Sequence, residues 1–194
     1  HIGAGFGKPL LTMHNNTEGT VSYTNLLCIP SSKPFDLFNP DRKSSLKLYI
    51  NRVFITDKCD NLIPAYLRFV KGIVDTQDID LNVSREMLQN NPAVAKISKS
   101  LVGKILRELK KIADKDKAKY IQFWNEFGQV LKEGLYEDLE RKDTLLELAR
   151  FSNNENDDLI SLEDYVNAMD KNQKDIYYIA ADTKSQALSS PHLE

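Results

Sequence analysis

The run Ser45-Leu46-Lys47-Leu48-Tyr49-Ile50-Asn51-Arg52-Val53-Phe54-Ile55-Thr56 decides the fold, because it is rich in β-branched and aromatic residues and its parity can be followed position by position. Leu46, Leu48 and Ile50 share one face by the period of two, whereas Val53 and Ile55 have the opposite parity. As a single strand the run therefore needs a bulge near Asn51-Arg52 to return both sets to one side. Upstream, residues 21–30 have the same character and are separated from it by Pro30 and Ser31-Ser32-Lys33-Pro34, which predicts a second strand and a loop. Downstream, residues 61–70 read as a short helix with Pro64 in its first turn, and residues 72–75 as a brief strand.

The pattern then changes period. From Pro92, the residues Val94, Ile97, Leu101, Ile105, Leu109 and Ile112 recur every three or four positions, which predicts an amphipathic helix capped by Asn91. Tyr120, Phe123, Trp124, Phe127 and Leu131 repeat that spacing in a second helix expected to stop near Gly134, and a third is expected over 143–151. Residues 152–158 form a polar loop, Ser161 and Asp164 have capping-box spacing, and residues 176–180 read as a further strand before a weak final helix. The order is α/β, then helical, then α/β again, with no internal repeat.

At 194 residues the chain is long enough to build a core without covalent staples. Its 41% hydrophobic and 28% charged content is that of a globular protein, which excludes a disordered or fibrous class. No apolar run approaches the roughly 20 residues of a membrane span. Cys28 and Cys59 allow at most one bridge, so a reduced, cytoplasmic protein is expected. His1 is not followed by a basic and then apolar leader, and a piece of a longer protein is the expectation. Net charge is −2, with 12 basic and 9 acidic residues in 1–100 and 14 and 19 beyond, so no global field draws the chain to nucleic acid.

Several motifs fail on context. Gly3-Ala4-Gly5-Phe6-Gly7-Lys8 suggests a phosphate loop, but no strand precedes it and Pro9 stands where a magnesium-holding hydroxyl belongs. Asp78, Asp80, Asn82 and Ser84 match the first half of a calcium loop, yet Val83 replaces its glycine and Gln89 its glutamate. The cationic stretch from Lys96 to Lys119 reads as the solvated face of a helix. His1, His14 and His192 have no metal-ligand spacing with the cysteines and no triad order, so no metal site is expected. What is left is Asn82-Val83-Ser84-Arg85-Glu86-Met87-Leu88-Gln89, a loop entering a helix capped by Asn82 or Ser84. A cation in its first turn opposes the helix dipole, so Arg85 has either an ion-pair partner or a function.

Taken together, residues 46–55, 62–75 and 81–89, with Pro34-Phe35-Asp36-Leu37-Phe38, Lys132-Glu133-Gly134, Ser161-Leu162-Glu163-Asp164-Tyr165 and Ile176-Tyr177-Tyr178, resemble the middle domain of the heat-shock protein 90 chaperones. The resemblance covers nearly the whole chain in order, and residues 190–194 with the aromatic helix at Trp124 look most like the bacterial branch. It implies a three-layer α/β/α subdomain over 1–112, a helical connector over 113–149 and a smaller α/β subdomain over 150–194.

The resemblance also implies an ATP-dependent chaperone whose ATP and magnesium are held by an N-terminal domain, with dimerisation in a C-terminal domain. This fragment alone would bind no cofactor and hydrolyse no ATP. Arg85 matches the arginine that reaches the ATP γ-phosphate, with Asn82, Ser84 and Gln89 supporting its loop. Phe6 and Phe54 match positions that hold client polypeptides, and co-chaperones are further possible partners. Two rivals use the same residues differently. One is a non-catalytic scaffold with Arg85 as an interdomain ion-pair residue. The other is a transducer domain of a related topoisomerase or mismatch-repair ATPase, against which the Asn82-to-Gln89 run and the charge balance argue.

Overall fold

A computed structural model describes residues 7–39, 45–57, 59–82 and 84–191, with the backbone alone at Ser45 and Arg85. Phe6 lies outside these residues. Strands β1 (Leu11–Thr17), β2 (Tyr23–Ile29), β3 (Ser45–Ile50), β4 (Val53–Thr56) and β5 (Lys71–Thr76) form one mixed sheet in the order β1-β2-β5-β3-β4. Only the β3–β5 pair is parallel. The chain is thus mixed α/β, as expected.

The run 45–56 is not one bulged strand. Asn51 and Arg52 have φ of 50° and 67°, so they form a two-residue turn with both positions left-handed, and the chain doubles back as a hairpin. Such a turn matches strand twist but strains an arginine. Two bonds hold it: the Asn51 N–H donates to the Thr76 carbonyl and the Arg52 N–H to Asp75 Oδ1, each at 3.0 Å. An irregularity does occur, between Leu48 and Tyr49, and leaves Ile55 as the extra residue.

Strand β1 has little signal in the sequence, because Leu-Thr-Met-His-Asn-Asn-Thr alternates poorly and only Met13 in it is buried. Its polar side chains suit a sheet edge and bond to β2: Asn15 Nδ2 donates to Asn25 Oδ1 at 3.2 Å, and Thr24 Oγ1 to Asn16 Oδ1 at 3.1 Å.

One sheet face is closed: Leu27, Ile29, Leu46, Leu48, Ile50 and Val74 are buried on it. Over its β1–β2 side lies α2 (Pro92–Lys115), whose Ser100 Oγ accepts from the Tyr23 hydroxyl at 2.7 Å. Asn91 caps that helix, accepting from the Ala93 and Val94 N–H groups. The expected 112/113 boundary falls in its last turn.

Residues 61–70 are not a helix beyond a single 3-10 turn at Ala65–Leu67. Leu62, Ile63, Tyr66, Leu67, Phe69 and Val70 are all buried, six of ten residues, so tertiary contacts shape the segment rather than a helical stripe. Phe69 packs on Phe123 and Phe127, with centroids 5.5 and 4.9 Å away. Those rings belong to α3 (Lys117–Glu137), which runs past Gly134 instead of stopping there. A Cβ on Gly134 would come 2.9 Å from the Tyr66 ring and from Leu145, so this glycine makes room rather than ending a helix. The third helix, α4 (Lys142–Leu148), is shorter than expected. Arg150 Nη1 takes its last carbonyls, those of Glu147, Leu148 and Ala149, while the guanidinium lies 4.7 Å over Tyr120.

Beyond it come the short hairpin β6 (Phe151–Ser152) and β7 (Leu159–Ile160), then α5 (Leu162–Ala168) behind the expected Ser161–Asp164 capping box, then α6 (Lys184–Leu188). The strand expected at 176–180 does not form. Residues 176–180 are exposed, and no described strand pairs with them. An apolar run becomes a strand only when a neighbour takes its backbone groups.

Candidate functional site

The C-terminal end of β5 launches the loop that carries the Asn82-to-Gln89 run. Its root is fixed to the β1–β2 turn: Thr76 Oγ1 donates to the Ser22 carbonyl at 2.8 Å, and Asp78 Oδ2 accepts the Ser22 N–H. Asp78 is thereby used as an anchor. Ile79 is buried, after which Asp80, Leu81 and Asn82 are exposed.

Ser84 then caps α1 (Arg85–Gln89), its Oγ accepting from the Met87 N–H at 3.3 Å. The capping role falls to Ser84 rather than Asn82. Arg85 is the first helical residue, followed by Glu86, the acidic residue of that turn. Leu88, 2% exposed, is the buried anchor, while Met87 is 60% exposed. Gln89 is exposed, and its carbonyl accepts from Asn61 Nδ2 at 2.6 Å. The loop is therefore rooted at both ends and projects between them. Nothing in the sequence distinguishes Asn61 from any other loop asparagine.

Phe54 is 51% exposed on edge strand β4, its ring edge-on to Tyr49 at 5.6 Å. It is not a core position. Because the Asn51-Arg52 turn bonds to Asp75 and Thr76, the hairpin tip beside Phe54 lies at the sheet end that launches the loop. Two further exposed aromatics, Phe35 and Phe38, lie on the loop after β2. Cys28 pairs with Lys71 at the start of β5, which places that loop at the opposite end of the sheet. A fork holds it: Arg68 Nε donates to the Leu37 carbonyl at 2.9 Å, and its two terminal nitrogens grip the Glu133 carboxylate.

Four of the nine cations in the Lys96-to-Lys119 stretch have side-chain partners. Lys99 pairs with Glu140 at 2.6 Å, Lys110 with Glu147 and Lys111 with Glu108, while Lys104 bonds Thr17 and lies 5.1 Å over the Tyr23 ring. Among the described residues no group of three His, Cys, Asp or Glu is placed to hold a metal ion, and no helix is long and apolar enough to cross a membrane.

The site is thus a loop whose helix is headed by Arg85, carried by a mixed sheet that is closed on one face and backed by long helices. The description "Hsp90 protein" matches residues 2–194, and the chain belongs to the Hsp90 family. It is 54% identical over 194 residues to the chaperone protein HtpG of Paramagnetospirillum magneticum and 52% over 197 residues to that of Ehrlichia canis. All of this chain is covered in both, but only 31% and 30% of those proteins, so it spans about a third of their length. Its fold matches the middle domain of a Plasmodium falciparum heat shock protein with a TM-score of 0.84 and 33% identity, covering 97% of this chain and 74% of that one.

Proposed function

We propose that the chain is the part of an ATP-dependent chaperone that completes an active site built elsewhere in the protein. The reading is that an N-terminal domain binds ATP and magnesium, and that closure of that domain brings the γ-phosphate to Arg85. A permanently charged, planar donor fork stabilises charge on the transferring phosphoryl group. The observation that carries this is the doubly rooted loop, in which Asp80, Leu81, Asn82, Ser84 and Glu86 are exposed and Arg85 is the first residue of α1. A cation held there against the helix dipole gains most when an anion arrives.

Asn82, Ser84 and Gln89 shape and flank that loop. Phe54 and Phe6 are offered as holds for client polypeptides, the half-exposed Phe54 ring supporting its part. The division into a sheet subdomain over 1–112, a helical connector over 113–149 and a small subdomain over 150–194 belongs to the same reading. So do a C-terminal dimerisation domain, co-chaperones and a cytoplasmic location. The fragment alone would turn over no ATP.

Arg85→Ala in the full-length parent tests it. A donor used mainly in the transition state leaves ATP affinity nearly unchanged while turnover falls by about 10² or more. Unchanged turnover would make Arg85 structural and the chain an interaction scaffold.

A further inference from the structure

A five-residue helix is too short to hold its own direction, so what α1 is tied to sets where Arg85 lies. Of its described side chains only Leu88 is buried. The Ser84 cap belongs to the same projecting loop and ties it to nothing beyond that loop. The long-range side-chain bond is Asn61 Nδ2 to the Gln89 carbonyl, across 28 residues, and that carbonyl lies at the helix end where no intrahelical donor is available.

Asn61 is itself well placed for this. Its neighbours Cys59 and Leu62 are buried and joined by a 3.2 Å bond from the Leu62 N–H to the Cys59 carbonyl. The buried Leu88 side chain, the Asn61 bond and a 3.4 Å bond from the Asn91 N–H to the Leu88 carbonyl together fix the C-terminal end of a short rod, and of these the Asn61 bond is the one supplied by a distant side chain. Without the Asn61 bond, Leu88 and the link to the α2 cap hold α1 at one end, and a small tilt there displaces Arg85, which heads the helix about 6 Å from Gln89 at 1.5 Å per residue. The geometry points to Asn61 as a positioning residue for Arg85: it lies outside the projecting run, sets the direction of the helix that Arg85 heads, and never touches nucleotide. This rests on the reading of Arg85 given above.

The test uses the full-length parent. In Asn61→Ala and Asn61→Asp, which remove the donor, ATP affinity stays within about twofold of wild type while kcat falls about tenfold to a hundredfold. Asn61→Gln, which keeps an amide donor, recovers most of the loss. Combined with Arg85→Ala, Asn61→Ala lowers kcat no further, because both act through one contact. Independently of activity, amide hydrogen exchange over residues 85–90 speeds up about tenfold in Asn61→Ala, with α2 and α3 unchanged. Normal kcat in Asn61→Ala beside a damaged Arg85→Ala overturns the positioning role and leaves the Arg85 reading standing. Additive losses in the double variant, or unaltered exchange, also overturn it. Full turnover in Arg85→Ala overturns both.

Discussion

Gly72 is where the central strand of the sheet admits no side chain. Its φ is +151°, and a Cβ there would run into the Leu26 carbonyl and lie 2.9 Å from Leu27 Cα. Replacement must push β2 away from β5 and so open the sheet that launches the projecting loop. Gly72→Ala is expected to cost about 3 kcal/mol or more of unfolding free energy, seen as a lower urea midpoint. A midpoint shift worth less than about 0.5 kcal/mol would show that the two strands can separate freely. At this scale the sequence is uneven. Asn91 and Ser161 announce their caps through local chemistry, but Asn61 acts on a partner 28 residues away and has no local signal.

At the scale of elements, α2 shows what periodicity can and cannot reveal. Its stripe from Val94 to Leu109 is buried as the spacing requires, and the Asn91 cap satisfies two N–H groups. Asn91→Ala is expected to cost about 1 kcal/mol, measurable by thermal or chemical unfolding, with Asn91→Asp much closer to wild type. Where the reading failed, a partner rather than a propensity decided the outcome. The segment 61–70 buries six of its ten residues, so tertiary contacts rather than an amphipathic stripe shape it. The 45–56 run shows a parity break that a hairpin and a bulged strand explain equally well, and only the left-handed pair Asn51-Arg52 distinguishes them. The run 176–180 has strand composition but no described neighbour to pair with. The site was legible as far as the Asn82-to-Gln89 run, since contiguity places those residues together whatever the fold; how the loop is rooted depends on Ser22 and Asn61.

Across the whole molecule, the segment that leads into β5 is joined to the end of α3 at Tyr66, Asp138 and Arg141. The Tyr66 hydroxyl donates to Asp138 Oδ2 at 2.7 Å and Arg141 Nη1 to the same oxygen at 2.9 Å. Burial works against the Asp138 carboxylate, but these donors outweigh it and hold its pKa below the usual range. The unfolded carboxyl, near 3.9, therefore takes its proton first as pH drops. The stabilisation is complete above that value and drains away as pH falls through the lower folded one. Asp138→Asn should be less stable at pH 7 by about 1–2 kcal/mol yet lose less Tm between pH 5 and 3 than wild type does. Parallel acid profiles for the two proteins would show that this carboxyl is not depressed.

The seam between α3 and the β6–β7 hairpin has an optical consequence. Lys132 lies 5.5 Å over the Trp124 ring and 4.9 Å over Phe151, and burial lowers its pKa. Trp124 is the only tryptophan of the 194 residues and is itself buried. The chain thus contains a single indole fluorophore beside a cation at the seam, so emission colour and quenching report whether α3 and the hairpin part, with no label added.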